Sequence, residues 1–127
     1  MRERRLVSSG SPYEEQIGFS RAVRVGPHVH VSGTAPVMPA GEPPPLGAYA
    51  QTKRCLEIVC EALAEAGAAP EHVVRTRIFA VRREDLAEIG RAHAEVFGAV
   101  RPAASYVVAG LLDPRWQVEI EADAIVE

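Results

Sequence analysis

At 127 residues, with 47% hydrophobic and 24% charged side chains, the chain is long enough to fold as one domain (residues 1–127) and bury about two thirds of its unfolded surface. A net charge of −3 supplies no basic footprint for sequence-independent nucleic-acid binding, and no apolar run approaches the length of a membrane span. The opening Met-Arg-Glu-Arg-Arg lacks the apolar core of a secretory signal, so a cytoplasmic location is expected.

Taken in chain order, a short strand is predicted at residues 5–8, followed by the loop Ser-Gly-Ser-Pro-Tyr. Residues 21–25 and 28–32 read as two strands joined at Gly26-Pro27, a two-residue hairpin connection. The stretch 36–45 carries five prolines and a glycine and cannot pair in a sheet. A helix follows over residues 46–66, with Thr52, Cys55, Leu56, Val59, Leu63 and Ala66 in an apolar stripe and Gly67 placed for a left-handed cap. Cys55 and Cys60 point to different sides of this helix, so both are expected as free thiols. Residues 73–81 are strand-like. A second helix is expected over 84–97, with Leu86, Ile89, His93, Val96 and Phe97 on one side, acidic residues at its start and Gly98 ending it.

In the last quarter, Val118, Ile120, Ala122 and Ala124 alternate with Glu119, Glu121 and Asp123, the period of a strand with one apolar face. Three carboxylates on the other face need water, cations or donors opposite them. The strand 103–109 is the expected partner, with the chemistry placed between the two. The order β-β-β-α-β-α-β-β describes an α+β fold, a mixed six-stranded sheet with two helices on one face. The opposite face would carry Arg75, Arg77, Phe79, Glu119 and Glu121, too polar for a core and too apolar for bulk water; a subunit interface containing a pocket satisfies both.

Several segments, in order and almost without gaps, resemble the YjgF/RidA family, also described as endoribonuclease L-PSP. They are Ile17-Gly18-Phe19-Ser20-Arg21-Ala22-Val23, Val29-His30-Val31-Ser32-Gly33-Thr34, Gln51, Ala66-Gly67-Ala68, Arg101-Pro102-Ala103 and Val118-Glu119-Ile120-Glu121-Ala122. The resemblance implies a chorismate-mutase-like fold and a homotrimer whose sheets form a central barrel, with three inter-subunit clefts for a small-molecule ligand. Deaminases of that family hydrolyse imines and enamines made by pyridoxal-phosphate enzymes, releasing a 2-oxo acid and ammonia. The resemblance thus implies no cofactor for this chain.

Carried over by position, the resemblance makes Glu119 the residue that positions the attacking water. It places the backbones of Ser32 and Gly33 along the cleft and puts Tyr106 where a backbone N–H meets the ligand. The aromatic hydroxyl of the N-terminal loop aligns near Phe19 or Ser20, and Gly90 stands where asparagine is frequent. The substrate-binding arginine of a Pro-Ala-Arg-Ser motif would fall at position 104, and here that residue is Ala104. A bidentate arginine–carboxylate contact cannot be replaced by a methyl group, so the resemblance carries the fold but not the deaminase activity.

Alternatives stay open at each position. Glu119 is either an acid/base or a partner for Arg75 or Arg77 across the sheet. Arg101 is a substitute for the missing arginine, with Arg24, Arg75 and Arg77 as further options; otherwise each is a structural ion-pair residue. Ser105, lacking a histidine–carboxylate set, reads as a hydroxyl within the strand. His28 and His30 share one strand face without a third ligand, so no metal is expected. His93 is expected as a hydrogen-bonded core or interface histidine. Three functions follow. The first is a Rid-like hydrolase of small C–N compounds, the second a non-catalytic trimer that binds a metabolite, and the last in rank an endoribonuclease.

Overall fold

The computed structural model describes residues 3–127; Met1 and Arg2, part of the opening segment read above for a leader, lie outside the described residues. The elements are β1 (Arg4–Val7), β2 (Ala22–Val25), β3 (His28–Thr34), α1 (Ala48–Glu65), β4 (Val73–Ala80), α2 (Leu86–Phe97), β5 (Ala103–Val108) and β6 (Val118–Ile125). The expected order of strands and long helices is met, and a wide helical turn at Glu14–Gly18 follows the segment 9–13 read as loop.

The six strands lie side by side in the order β1-β2-β3-β6-β4-β5. All neighbours are antiparallel except β4 and β5, which run parallel because α2 carries the chain back across the sheet. This corrects one expectation. The strand at 103–109 does not pair with the acidic strand: β4 lies between them, and β5 is left at the outer edge. A parallel β4–α2–β5 crossover places β5 beside β4, while β6 fills the gap between β3 and β4.

One sheet face is covered by both helices. Ala22, Val29, Val31, Ile78, Ala80, Val118, Ile120, Ala122 and Ala124 are buried there against Cys55, Leu56, Val59, Leu63, Ile89 and Phe97. The predicted stripe of α1 is buried along its whole length. The helix closes as expected at Gly67, whose φ of 80° allows the N–H of Ala68 to reach Leu63 O at 2.8 Å and its own N–H to reach Ala64 O at 3.0 Å. Burial pushes the Cys55 thiol above its ordinary pKa, so it packs as a small hydrophobe.

Gln51 ties this layer to the loops. It is buried, donates through Nε2 to Pro45 O (3.1 Å) and Arg115 O (3.0 Å), and accepts the Gln117 N–H at 2.7 Å. His93 is held as expected, its Nε2 lying 3.0 Å from Thr76 Oγ1, and burial lowers its pKa.

Candidate functional site

The open sheet face carries the acidic ladder of β6, and its three carboxylates have different surroundings. Asp123 sits 2.7 Å from His30 Nδ1 and 2.9 Å from Arg77 Nη1; burial raises its pKa, but these two hydrogen bonds outweigh it and the net direction is down. Glu121 shares Arg77 at 3.3 Å. These pairs are partly exposed and screened, so they neutralise the ladder more than they stabilise it.

Glu119 differs. Neither Arg75 nor Arg77 reaches it: β4 places Phe79 opposite, Arg77 turns to Glu121 and Asp123, and Arg75 donates to Ser105 Oγ at 2.7 Å. The cross-sheet ion pair read as one alternative for Glu119 is therefore absent among the described residues. Burial holds its pKa above the usual carboxylate range; the charge of Arg21 pulls it back and Glu121 pushes it up again.

A backbone irregularity gives Glu119 its seat. Val31 stands opposite Ala122 and Thr34 opposite Ile120, so β3 spends three steps where β6 spends two, and the extra residue bulges at Ser32–Gly33. A Cβ on Gly33 would lie 2.5 Å from Glu119 Oε2. Only a residue without a side chain lets the carboxylate rest there. Ser32 anchors the bulge: its N–H donates to Arg21 O (3.0 Å) and its hydroxyl to Ser20 O (2.6 Å), while Thr34 Oγ1 donates back to Ser32 O (2.7 Å). The amide of Ser32 is thereby engaged within the fold.

Arg21 completes this corner and was missed from sequence. It immediately precedes β2, and its Nη2 donates to Gly33 O at 2.7 Å. Behind it lies buried Glu14, whose carboxylate accepts from Ser9 Oγ, from the Ser9 N–H at 2.9 Å and from Ser8 Oγ at 2.9 Å. The Ser9 hydroxyl leads the causes that lower its pKa, with burial opposing. The alternation of residues 21–25 was the available signal. If small Ala22 enters the core, Arg21 must share the open face with the acidic ladder.

The model of the family described as endoribonuclease L-PSP matches residues 11–126. The chain belongs to this family. An uncharacterised protein of Streptomyces coelicolor is 44% identical over 124 residues, covering 94% of this chain and 90% of that protein. A RutC family protein of Pyrococcus abyssi is 33% identical over 110 residues, 86% of this chain and 87% of its own length. Among solved structures, a Mycobacterium tuberculosis member of the YjgF/YER057c/UK114 family superposes with a TM-score of 0.89 at 43% identity, covering 98% of this chain and all of that one.

The remaining predicted positions of this endoribonuclease L-PSP family member gather elsewhere. Ala104 pairs with Thr76 and Tyr106 with Ile78, so both point to the helix side of the outer strand β5. The Tyr106 hydroxyl lies 3.9 Å from where a Cβ on Gly90 would sit, and burial raises its pKa to about 12. Arg101, in the turn before β5, has a left-handed φ of 57° and donates its N–H to Phe97 O at 2.8 Å. Phe19 closes the Glu14–Gly18 turn, its N–H donating to Glu14 O at 3.0 Å.

Within one chain the candidates thus form two groups. Ser32, Gly33 and Glu119 sit on β3 and β6, while Gly90, Ala104 and Tyr106 sit at the β5 edge on the opposite face. Arg24 joins neither group, since its Nη1 caps the end of α1 at Ala66 O (2.8 Å). Among the described residues no cluster of three or more His, Cys, Asp or Glu could hold a metal ion, and no helix is long and apolar enough to cross a membrane.

Proposed function

We propose that this protein is a Rid-like hydrolase of small imines, enamines or related C–N compounds, working in clefts between the subunits of a homotrimer. Glu119 carries the reading. It is half-buried, held toward its neutral form and seated on a bulge, while its neighbours Glu121 and Asp123 are committed to Arg77 and His30. In that role its carboxylate takes a proton from water as the oxygen attacks the imine carbon. It returns that proton to nitrogen to give a carbinolamine, and then relays the hydroxyl proton to nitrogen as the C–N bond breaks, releasing a carbonyl compound and ammonia.

Two features support the trimer. The open face mixes Phe79 and Val107 with charged groups and is left without a covering layer by the helices. The two groups of site residues come together only if a second copy brings its β5 edge alongside the Glu119 corner. Light scattering at micromolar concentration tests this, and a monomer would remove the cleft. Ammonia release from iminopyruvate generated in situ tests the reaction, and a rate equal to buffer would remove the deaminase.

The second reading, a non-catalytic trimer that binds a metabolite, is favoured by Ala104, which is exposed and presents only a methyl group at the β5 edge. Activity that arises only in Ala104→Arg would decide for it.

A further inference from the structure

We propose that Arg21 is the cation that anchors the carboxylate of a small ligand beside Glu119. This deepens the reading above, resting on the Glu119 corner as the binding site, and it moves the missing charge from position 104 on the outer strand to position 21 at the start of β2.

Most other arginines that reach into the fold are engaged: Arg5 and Arg24 donate to the terminal carbonyls of α1, Arg54 to Val37 O and Arg77 to two carboxylates. Arg75 shares with Arg21 a buried Nε without a partner, but its Nη2 donates to Ser105 Oγ on the outer strand and it stands opposite Asp123, two same-face pairs along the sheet from Glu119. Arg21 is held just as firmly by its backbone, its N–H on Val7 O at 2.8 Å and its carbonyl receiving the Ser32 N–H, but its guanidinium is under-used. Among the described residues, Nη2 alone makes a hydrogen bond, to Gly33 O, while Nε is buried without a partner and Nη1 makes no bond. Among the described residues no carboxylate oxygen comes within 4.0 Å of it. Glu14 is turned to its serines, and Glu119 to the Gly33 bulge.

A partly buried guanidinium lacking an ion partner is costly, and an incoming anion reduces that cost. The planar fork matches a carboxylate. With Glu14 and Glu119 on either side, a monoanion is favoured over dianionic phosphate, which would meet two like charges for one cation. Nη2 and the Glu119 carboxylate both touch Gly33, so a carboxylate held by Arg21 brings its attached carbon next to the proton-transferring group.

The test is calorimetric titration of the full chain with pyruvate, with neutral pyruvamide and with inorganic phosphate. Pyruvate is expected to bind at least about tenfold more tightly than pyruvamide. Arg21→Gln should erase that preference and Arg21→Lys, which keeps the charge but not the fork, should retain part of it. Arg91→Gln, a charge loss on the outer surface of α2, should leave it intact. Equal binding of pyruvate and pyruvamide, binding of neither, preference for phosphate, or a folded Arg21→Gln that still discriminates would each overturn the proposal. Should Arg21→Gln not fold, Arg21→Lys with undiminished preference does so equally. Binding is read without turnover, so pyruvate held without ammonia release sinks the hydrolase and leaves the anchor. Turnover with an indifferent Arg21 does the reverse.

Discussion

Replacing Gly33 by alanine separates what the bulge does for the fold from what it does for Glu119. The new methyl would meet Glu119 Oε2 at 2.5 Å, and an ordinary contact begins at 3.4 Å, so the carboxylate must retreat by about 0.9 Å. Gly33 has no left-handed φ, so the backbone accepts alanine without strain. The obstacle is the far end of a flexible side chain, and re-seating it off its preferred rotamer costs about 0.5–1.5 kcal/mol. Loss of glycine's freedom in the unfolded chain returns about 0.4–1 kcal/mol. Stability should therefore change by less than about 1 kcal/mol in urea titration. Function should not survive so lightly, because a misplacement near 1 Å costs about a hundredfold in rate. Carbon-13 NMR of the Glu119 carboxyl should show its titration falling toward the ordinary range as it leaves its buried seat. A variant with undiminished ammonia release, or one destabilised by more than about 3 kcal/mol, would refute the reasoning.

Three further outcomes follow from the geometry. The folded protein holds the Glu119 proton more tightly than the unfolded chain, so its ionisation opposes folding. That contribution is whole below the ordinary carboxylate range and is lost as pH rises through the elevated folded value. Glu119→Gln should accordingly raise Tm at pH 7 and leave it unchanged at pH 4, as read by differential scanning fluorimetry at both pH values. Gln51→Ala removes three hydrogen bonds and leaves part-buried backbone groups of two loops without their partner, a loss of about 3 kcal/mol in chemical denaturation. Gly67→Ala forces a left-handed φ of 80° on alanine and sets its methyl 2.8 Å from Arg24 Nη1, costing about 2 kcal/mol, and less in an Arg24→Ala background.

The sequence was most legible where a period could be counted. The stripe from Thr52 to Ala66 and the alternation from Val118 to Ala124 each gave an element, its buried face and its exposed one. Strand neighbours were not legible in the same way. The separation of β5 from β6 depends on β4, about 40 residues earlier, and no local spacing encodes that insertion. Glu119 stood out because three carboxylates in alternation demand an explanation. Arg21 did not, because an arginine beside a hairpin strand reads as surface until the β3 bulge carries Gly33 O beneath it. Arg77 was read as a partner for Glu119 and His30 as half of a histidine pair; both are instead found neutralising Asp123, a choice that the cross-strand register makes and no local spacing shows.

The last strand in sequence is among the innermost in space, flanked by β3 on one side and β4 on the other. During synthesis the first three strands and the β4–α2–β5 unit must therefore wait as two incomplete sheets with bare edges. Both remain open to wrong pairing until residues 118–125 leave the ribosome and zip them together. Closure of the sheet and arrival of Glu119 are then a single event, so a half-made chain carries no half-made Glu119 corner.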